Sequence, residues 1–269
     1  MTPRVLLYCV LGGFAFMLPA VGDGHVALWW LSGALLAAAF VPVALYGPKG
    51  ALAQFAVIAP VLWATSVFCT WSEAMVFEPR FRQNAAANLA GATVMFLIAA
   101  IVFAVLATTL DLHRQSESAI TRRLPLPAVA MVAASGLAFA VYYLIFGWIT
   151  FQYFTHGFYP DGIQQVERIG GWFWPMQIGR GILMTLSVLP IVYTLRLSRR
   201  QTALAVGAIL WVAGGLAPLV VPNEFMGGTQ RLIHIVEILT QNVPLGVTIV
   251  LLMRPGSQGQ RLTAPIMAA

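Results

Sequence analysis

The sequence predicts an all-α fold, a polytopic transmembrane helical bundle of about eight spans with both termini cytoplasmic. Three observations carry that prediction. Hydrophobic residues make up 59% of the 269-residue chain and charged residues only 9%, against about 25% charged in soluble domains. Mean hydropathy is +0.83, and apolar runs recur at roughly 20 residues, the length that crosses a bilayer as a helix. Clusters of Gly, Pro and charged residues punctuate the runs, as helix ends require, with none of the short alternating segments of a barrel.

Taken in order, the first span, about 5–21, follows Arg4 and stops at the GDGH turn of 22–25. The second, about 26–46, ends at the GPKG turn of 47–50, and the third, about 51–73, at the charged stretch Phe77–Asn84. The fourth, about 86–110, leads into the polar connector DLHRQSESAITRRLP, and the fifth, about 127–155, into His156–Gly170. The last three, about 172–195, 203–221 and 230–253, are separated by Arg196–Gln201 and Pro222–Gly228. No loop is long enough to fold alone. Residues 1–254 therefore read as one transmembrane domain, and 255–269 as a disordered cytoplasmic tail.

Lys and Arg set the orientation. Alternate loops and both termini hold Arg4, Lys49, Arg114, Arg122, Arg123, Arg196, Arg199, Arg200, Arg254 and Arg261, while the opposite loops hold Arg80, Arg82 and Arg168. The positive-inside rule then places both termini in the cytoplasm, and an even span count agrees. A second reading concerns the first span: Arg4, a short apolar region and the small residues Ala20 and Gly22 resemble a secretory signal, whose cleavage would leave seven spans. Shifting the chain by 148 residues lays Gly33 on Gly181, Pro42 on Pro190 and Trp63 on Trp211, a faint four-plus-four parallel repeat of a kind found in transporters. Chance alignment of common membrane residues explains three matches equally well.

Chemistry concentrates on one side. The inner halves of the spans are nearly all Leu, Val, Ala and Ile, whereas the outer halves and loops hold Glu73, Gln177, Arg180, Arg231, His234, Glu237 and Gln241. In the last span, His234, Glu237 and Gln241 fall within about 60° of one another on a helix, with Arg231 about 60° further round. A charge at membrane depth costs about 2.5–3.5 kcal/mol on insertion scales, so this stripe must face protein or water. Arg180 and Glu237 lie at similar depth from their outer ends, which predicts an Arg180–Glu237 pair completed by His234 and Gln241. Such a pair either binds a ligand or pins two helices together. Glu73 reads as an interfacial residue, or as one that turns inward to Arg231 or Arg80. The aromatic stretch from Phe146 to Tyr159 reads as a membrane-interface belt; Gln152 and His156, one turn apart, are candidates for a vestibule wall with Trp172, Phe173 and Trp174 opposite.

Several chemistries are disfavoured. His25, His113, His156 and His234 lie on different segments, so a two-His haem lacks candidates. His234 and Glu237 form HxxE without a second histidine, and no phosphate-binding loop or dinucleotide fingerprint is present. No metal and no cofactor are expected. The net charge of +6 comes from loop residues rather than from a basic, aromatic-interleaved patch, which argues against nucleic acid. Cys9 and Cys69 fall at opposite depths, beyond disulfide reach, and read as small core residues.

FGWITFQYF at 146–154 and R-x-x-H-x-x-E-x-x-x-x-N at 231–242 resemble patterns in uncharacterised multi-pass bacterial membrane proteins, mainly over residues 126–253. The resemblance implies a bacterial inner-membrane location and nothing about mechanism. Three functions remain in view. The first is transport or binding of a small or amphiphilic solute in an outer-half cavity between the sixth and eighth spans. The second is an intramembrane enzyme acting on a lipid or isoprenoid-like substrate. The third is an accessory subunit of a membrane complex. Expected partners are the bilayer, a small-molecule or lipid ligand, and a second copy or larger membrane complex.

Overall fold

A computed structural model describes residues 2–17, 22, 24–114 and 127–254. Arg122, Arg123, Arg261, Ala20 and the tail at 255–269 lie outside them. Every described element is helical. The helices are α1 (Pro3–Met17), α2 (Val26–Tyr46), α3 (Ala51–Phe77), α4 (Ala85–Thr109), α5 (Ala128–Thr155), a short α6 (Gly162–Ile169), α7 (Phe173–Thr194), α8 (Arg199–Val220) and α9 (Gly228–Met253).

Seven helical stretches are long and apolar enough to cross a membrane: α2, α3, α4 with the turn before it, α5, α6 through α7, α8 and α9. The chain is thus a multi-pass membrane protein by helix length and composition. The first of the eight expected spans is shorter. At 15 residues, α1 extends about 22 Å, less than the ~30 Å hydrocarbon core. Arg4 reaches Asp111 at the end of α4 (3.8 Å), so α1 starts at the end of the bundle that also carries Lys49 and Arg199. This is the basic end; the other is called here the far end.

Helix α3 is the hub. It packs on α4, α7 and α8, while α1 lies against α2 and α4, α5 against α7 and α9, and α8 against α9. Glycines set three of these contacts. A methyl group at Gly33 of α2 would fall 2.8 Å from Gly13 O of α1, and one at Gly181 of α7 would fall 2.6 Å from Phe139 Cβ and 2.9 Å from Gly136 Cα of α5. At Gly246 of α9 it would fall 2.5 Å from Gly207 Cα of α8. Small residues let helix backbones approach closely where burial of apolar surface gives no net drive, since lipid is as apolar as Leu.

Wide π-helical turns interrupt α3 at Leu62–Cys69, α5 at Tyr143–Gly147 and Phe151–Thr155, and α8 at Val212–Leu216. Such turns disturb the i→i+4 ladder, and backbone carbonyls in a membrane need internal donors. Side chains from three helices supply them around the α8 turn: Ser66 Oγ donates to Ala213 O (2.7 Å), Ser32 Oγ to Ala217 O (2.7 Å) and Asn242 Nδ2 to Leu210 O (2.9 Å). Several loop arginines serve helix ends in the same way. Arg254 donates to Val192 O, Leu195 O, Leu197 O and Thr202 Oγ1, and Arg199 to Leu251 O. At the far end Arg82 donates to Met75 O and Val76 O, capping α3. Residues that sequence reading treats as orientation signals are therefore also C-caps.

Candidate functional site

The ionisable residues of the far half gather where α3, α5, α7 and α9 converge, but not in the expected pairing. Arg180 Nη2 meets Glu73 Oε2 at 2.7 Å, and Arg180 Nη1 donates to Gln177 Oε1 at 2.8 Å. The expected Arg180–Glu237 pair is not formed. The reason is lateral rather than axial. Cys69 Sγ of α3 lies 3.9 Å from Arg180 O, so one turn further along α3 places Glu73 beside the guanidinium, whereas Glu237 is held by His234 and Gln241 of its own helix. Glu73 is therefore neither a plain interfacial residue nor a partner of Arg231 or Arg80.

Arg180 is 8% exposed and Gln177 fully buried. The guanidinium carbon sits 5.6 Å from the Phe139 ring centroid and 5.7 Å from that of Tyr143, so π faces as well as a carboxylate stabilise the charge. Tyr143 Oη donates to Glu73 Oε1 (2.9 Å). Both Glu73 oxygens thus accept strong hydrogen bonds, one of them charge-assisted. The Gln177 Nε2 group has no hydrogen-bond partner.

Glu237 anchors a second group. Its Oε2 lies 2.7 Å from His234 Nδ1 and its Oε1 accepts from Gln241 Nε2 at 3.1 Å. The other His234 nitrogen, Nε2, lies 3.1 Å from Tyr159 Oη. The stripe Glu237, His234 and Gln241 is brought together as its helical spacing predicts. Arg231 is half-buried and makes no ion pair among the described residues. The two groups meet at Gly147 of α5, where a methyl would fall 3.4 Å from Glu237 Oε1 and 3.9 Å from Tyr143 Cδ1. A methyl there would sit at ordinary contact distance from both.

A cavity of about 250 Å³ opens at the far end, between the close of α3, the loop before α6 and the turn before α9. Phe77, Glu78, Tyr159, Asp161, Gln165 and Phe225 are among its lining residues. It does not lie between α7 and α9, as the sequence suggests, because Arg180 is packed against α3. Tyr159 belongs to both features: the residue lines the cavity and its hydroxyl touches His234. Burial, followed by the nearby carboxylates Glu73, Glu237 and Glu78, pushes the Tyr159 phenol up to about 12, so it remains a neutral donor. Gln152, His156, Trp172 and Trp174 are exposed and Phe173 is buried.

Sequence reading missed Tyr143, Tyr159 and Phe139. The only available signal was a tyrosine pair, Tyr142 and Tyr143, deep within an otherwise apolar span. No group of three or more His, Cys, Asp or Glu able to hold a metal occurs among the described residues. Comparison with protein-family models, curated proteins and solved structures finds no match.

Proposed function

We propose that this chain binds a small or amphiphilic solute at the far end of its bundle, as the recognition step of transport, with Tyr159, His234 and Glu237 reporting the occupied cavity to the ion pair Arg180–Glu73. One observation carries the reading: Tyr159 is at once a wall of the cavity and a hydrogen-bond partner of His234. Arg180, held by Glu73, Gln177 and two rings, anchors this network rather than meeting a ligand itself.

The setting belongs to the proposal. The far end is the outer face, both termini are cytoplasmic, α1 is an eighth span and the membrane is a bacterial inner membrane. The distribution of Lys and Arg and the Arg4–Asp111 contact support this orientation. A four-plus-four repeat is part of the same reading. Gly33 of α2 lies against Gly12 and Gly13 of α1 as Gly181 of α7 lies against Gly136 of α5. Ser32 reaches Ala217 O, and the counterparts of those two positions at an offset of 148 are Arg180 and Cys69, which also touch. Under this repeat Ser32 occupies the place of Arg180, so only one of two equivalent helix contacts carries charge. A purely structural device has no evident reason to differ so sharply between halves.

A second reading, an enzyme acting on a lipid, is favoured by the His234–Glu237 contact at 2.7 Å with Tyr159 on the opposite ring nitrogen. That arrangement suits proton transfer through Tyr159. The test compares small molecules retained by wild-type protein and by His234→Gln in lipid nanodiscs, read by mass spectrometry. Binding predicts a retained solute depleted at least tenfold in the variant. Equal content in both overturns the reading, and chemical change of an added lipid without any ion gradient moves it to the enzyme.

A further inference from the structure

We infer that the far-end cavity recognises an organic ammonium group, either a free cation such as choline or the amine of a lipid head group. This deepens the solute-binding reading by naming the ligand's chemistry, and rests on it for the link to His234.

Aromatic residues among the lining are the first argument. Phe77, Phe158, Tyr159 and Phe225 line a space of about 250 Å³, smaller than the ~300–1,000 Å³ of pockets for drug-sized ligands. Rings around a head-group-sized volume attract an ammonium through their negative faces.

Unmatched acceptors are the second. Asp161 lines the cavity and forms no ion pair among the described residues. Gln165 also belongs to the wall. Glu78 presents a carboxylate of which Arg80 Nε takes one oxygen, Oε1, at 3.0 Å. Gln230 contributes a neutral amide whose oxygen already accepts from Gly227 N–H. The lining thus holds two carboxylates against one cation, Arg80. An anion entering here would face Asp161; an ammonium pairs with it.

Arg80 itself displays the recognition. Its guanidinium carbon stands 5.8 Å from the Phe225 ring centroid while its Nε holds Glu78. The site is also ordered in advance of any ligand. Phe225 is braced edge-on by Phe81 at 5.8 Å, and Asn223 Oδ1 accepts from the backbone N–H groups of Phe225 and Met226. Opposite, Thr155 O accepts from Phe158 and Tyr159 N–H, and Asp161 O from Gln165 N–H. Preorganised walls lower the ordering cost of binding.

The experiment uses the full chain in phosphatidylglycerol nanodiscs, titrated calorimetrically with choline and tetramethylammonium, and with acetate and inorganic phosphate as anions. Saturable binding of the two ammonium ions is expected, with no saturable binding of the anions. Glu78→Gln with Asp161→Asn, and separately Phe225→Leu, should weaken it at least tenfold. Phe158→Ala, at an exposed ring, serves as a further variant that leaves folding undisturbed, and melting temperatures check the others. Nanodiscs containing phosphatidylethanolamine or phosphatidylcholine distinguish the sources: loss of choline binding there identifies a head-group site, and unchanged binding a site for free cations. The inference is overturned if wild-type protein binds neither ammonium ion, if the cavity variants bind them unchanged, or if an anion is preferred. A solute retained through His234 that is anionic or neutral would overturn the ammonium inference and leave the solute-binding reading standing. Ammonium binding with no His234-dependent solute would do the reverse.

Discussion

At the scale of single residues, the pair Arg180–Glu73 governs the polar half of the molecule, because neither charge has another full counter-ion nearby. Removing only Arg180 leaves Glu73 facing Tyr143 with its charge uncompensated. Arg180→Leu should cost about 3 kcal/mol, the low end for breaking a buried pair, because Glu73 remains 35% exposed. Arg180→Leu combined with Glu73→Leu should cost clearly less than the two single losses added together, since the double change leaves no orphan charge. Unfolding in mixed micelles measures this, and simple additivity would show that the contact contributes no coupling. The stripe on α9 was legible in the sequence because helical periodicity fixes the azimuth of His234, Glu237 and Gln241 on their own helix. Periodicity carries no information on which helix stands beside which, so Glu73 and Glu237 were indistinguishable as partners for Arg180. Tyr159 was hidden for another reason: a tyrosine near a span end satisfies the interfacial role fully, and only its hydroxyl's partner separates the two.

At the scale of elements, the helices keep their places through close glycine contacts and through side chains that serve disturbed backbone. The ends of the long spans were readable from Gly, Pro and charge. The π-helical turns were not, since they arise from contacts such as Ser66 with Ala213 and Asn242 with Leu210 that join residues distant in sequence. Two glycines separate packing from propensity. Gly181→Ala pushes a methyl to within 2.6 Å of Phe139 Cβ and 2.9 Å of Gly136 Cα, so α5 and α7 must part, and a loss of about 1–3 kcal/mol is expected from overpacking. Gly91 in α4 has nothing within 4 Å of the same added atom, so Gly91→Ala should be neutral or stabilise by up to about 1 kcal/mol through helix propensity. Thermal unfolding of both variants in one detergent tests the contrast. Equal effects would mean that the α5–α7 contact does not depend on that glycine.

At the scale of the whole molecule, α1 decides the number of crossings. Its 15 residues fall short of a full span, which alone favours seven crossings. Its packing argues the other way. Gly12 and Gly13, in the second half of α1, hold Gly33 in the first half of α2, while Arg4 holds Asp111 at the basic end. The two helices therefore run side by side in opposite directions, and a chain that starts at the basic end is carried toward the far end before α2 returns. Hydrophobic mismatch of several ångströms is met by local thinning of the bilayer at modest cost. Single cysteines, placed in a chain whose buried Cys9 and Cys69 are replaced by Ala, should then sort into two sets toward an impermeant maleimide. Thr2, Lys49 and Ser198 should be protected in intact cells, and Phe158 and Glu224 should react. Labelling of Thr2 from outside would place the start of α1 on the wrong face and remove the four-plus-four repeat, because α1 and α5 would no longer share a direction. Protection of Thr2 together with Lys49 leaves α1 as the counterpart of α5. Under the proposed repeat, the charge at Arg180 then stands against Ser32 as a difference between corresponding positions.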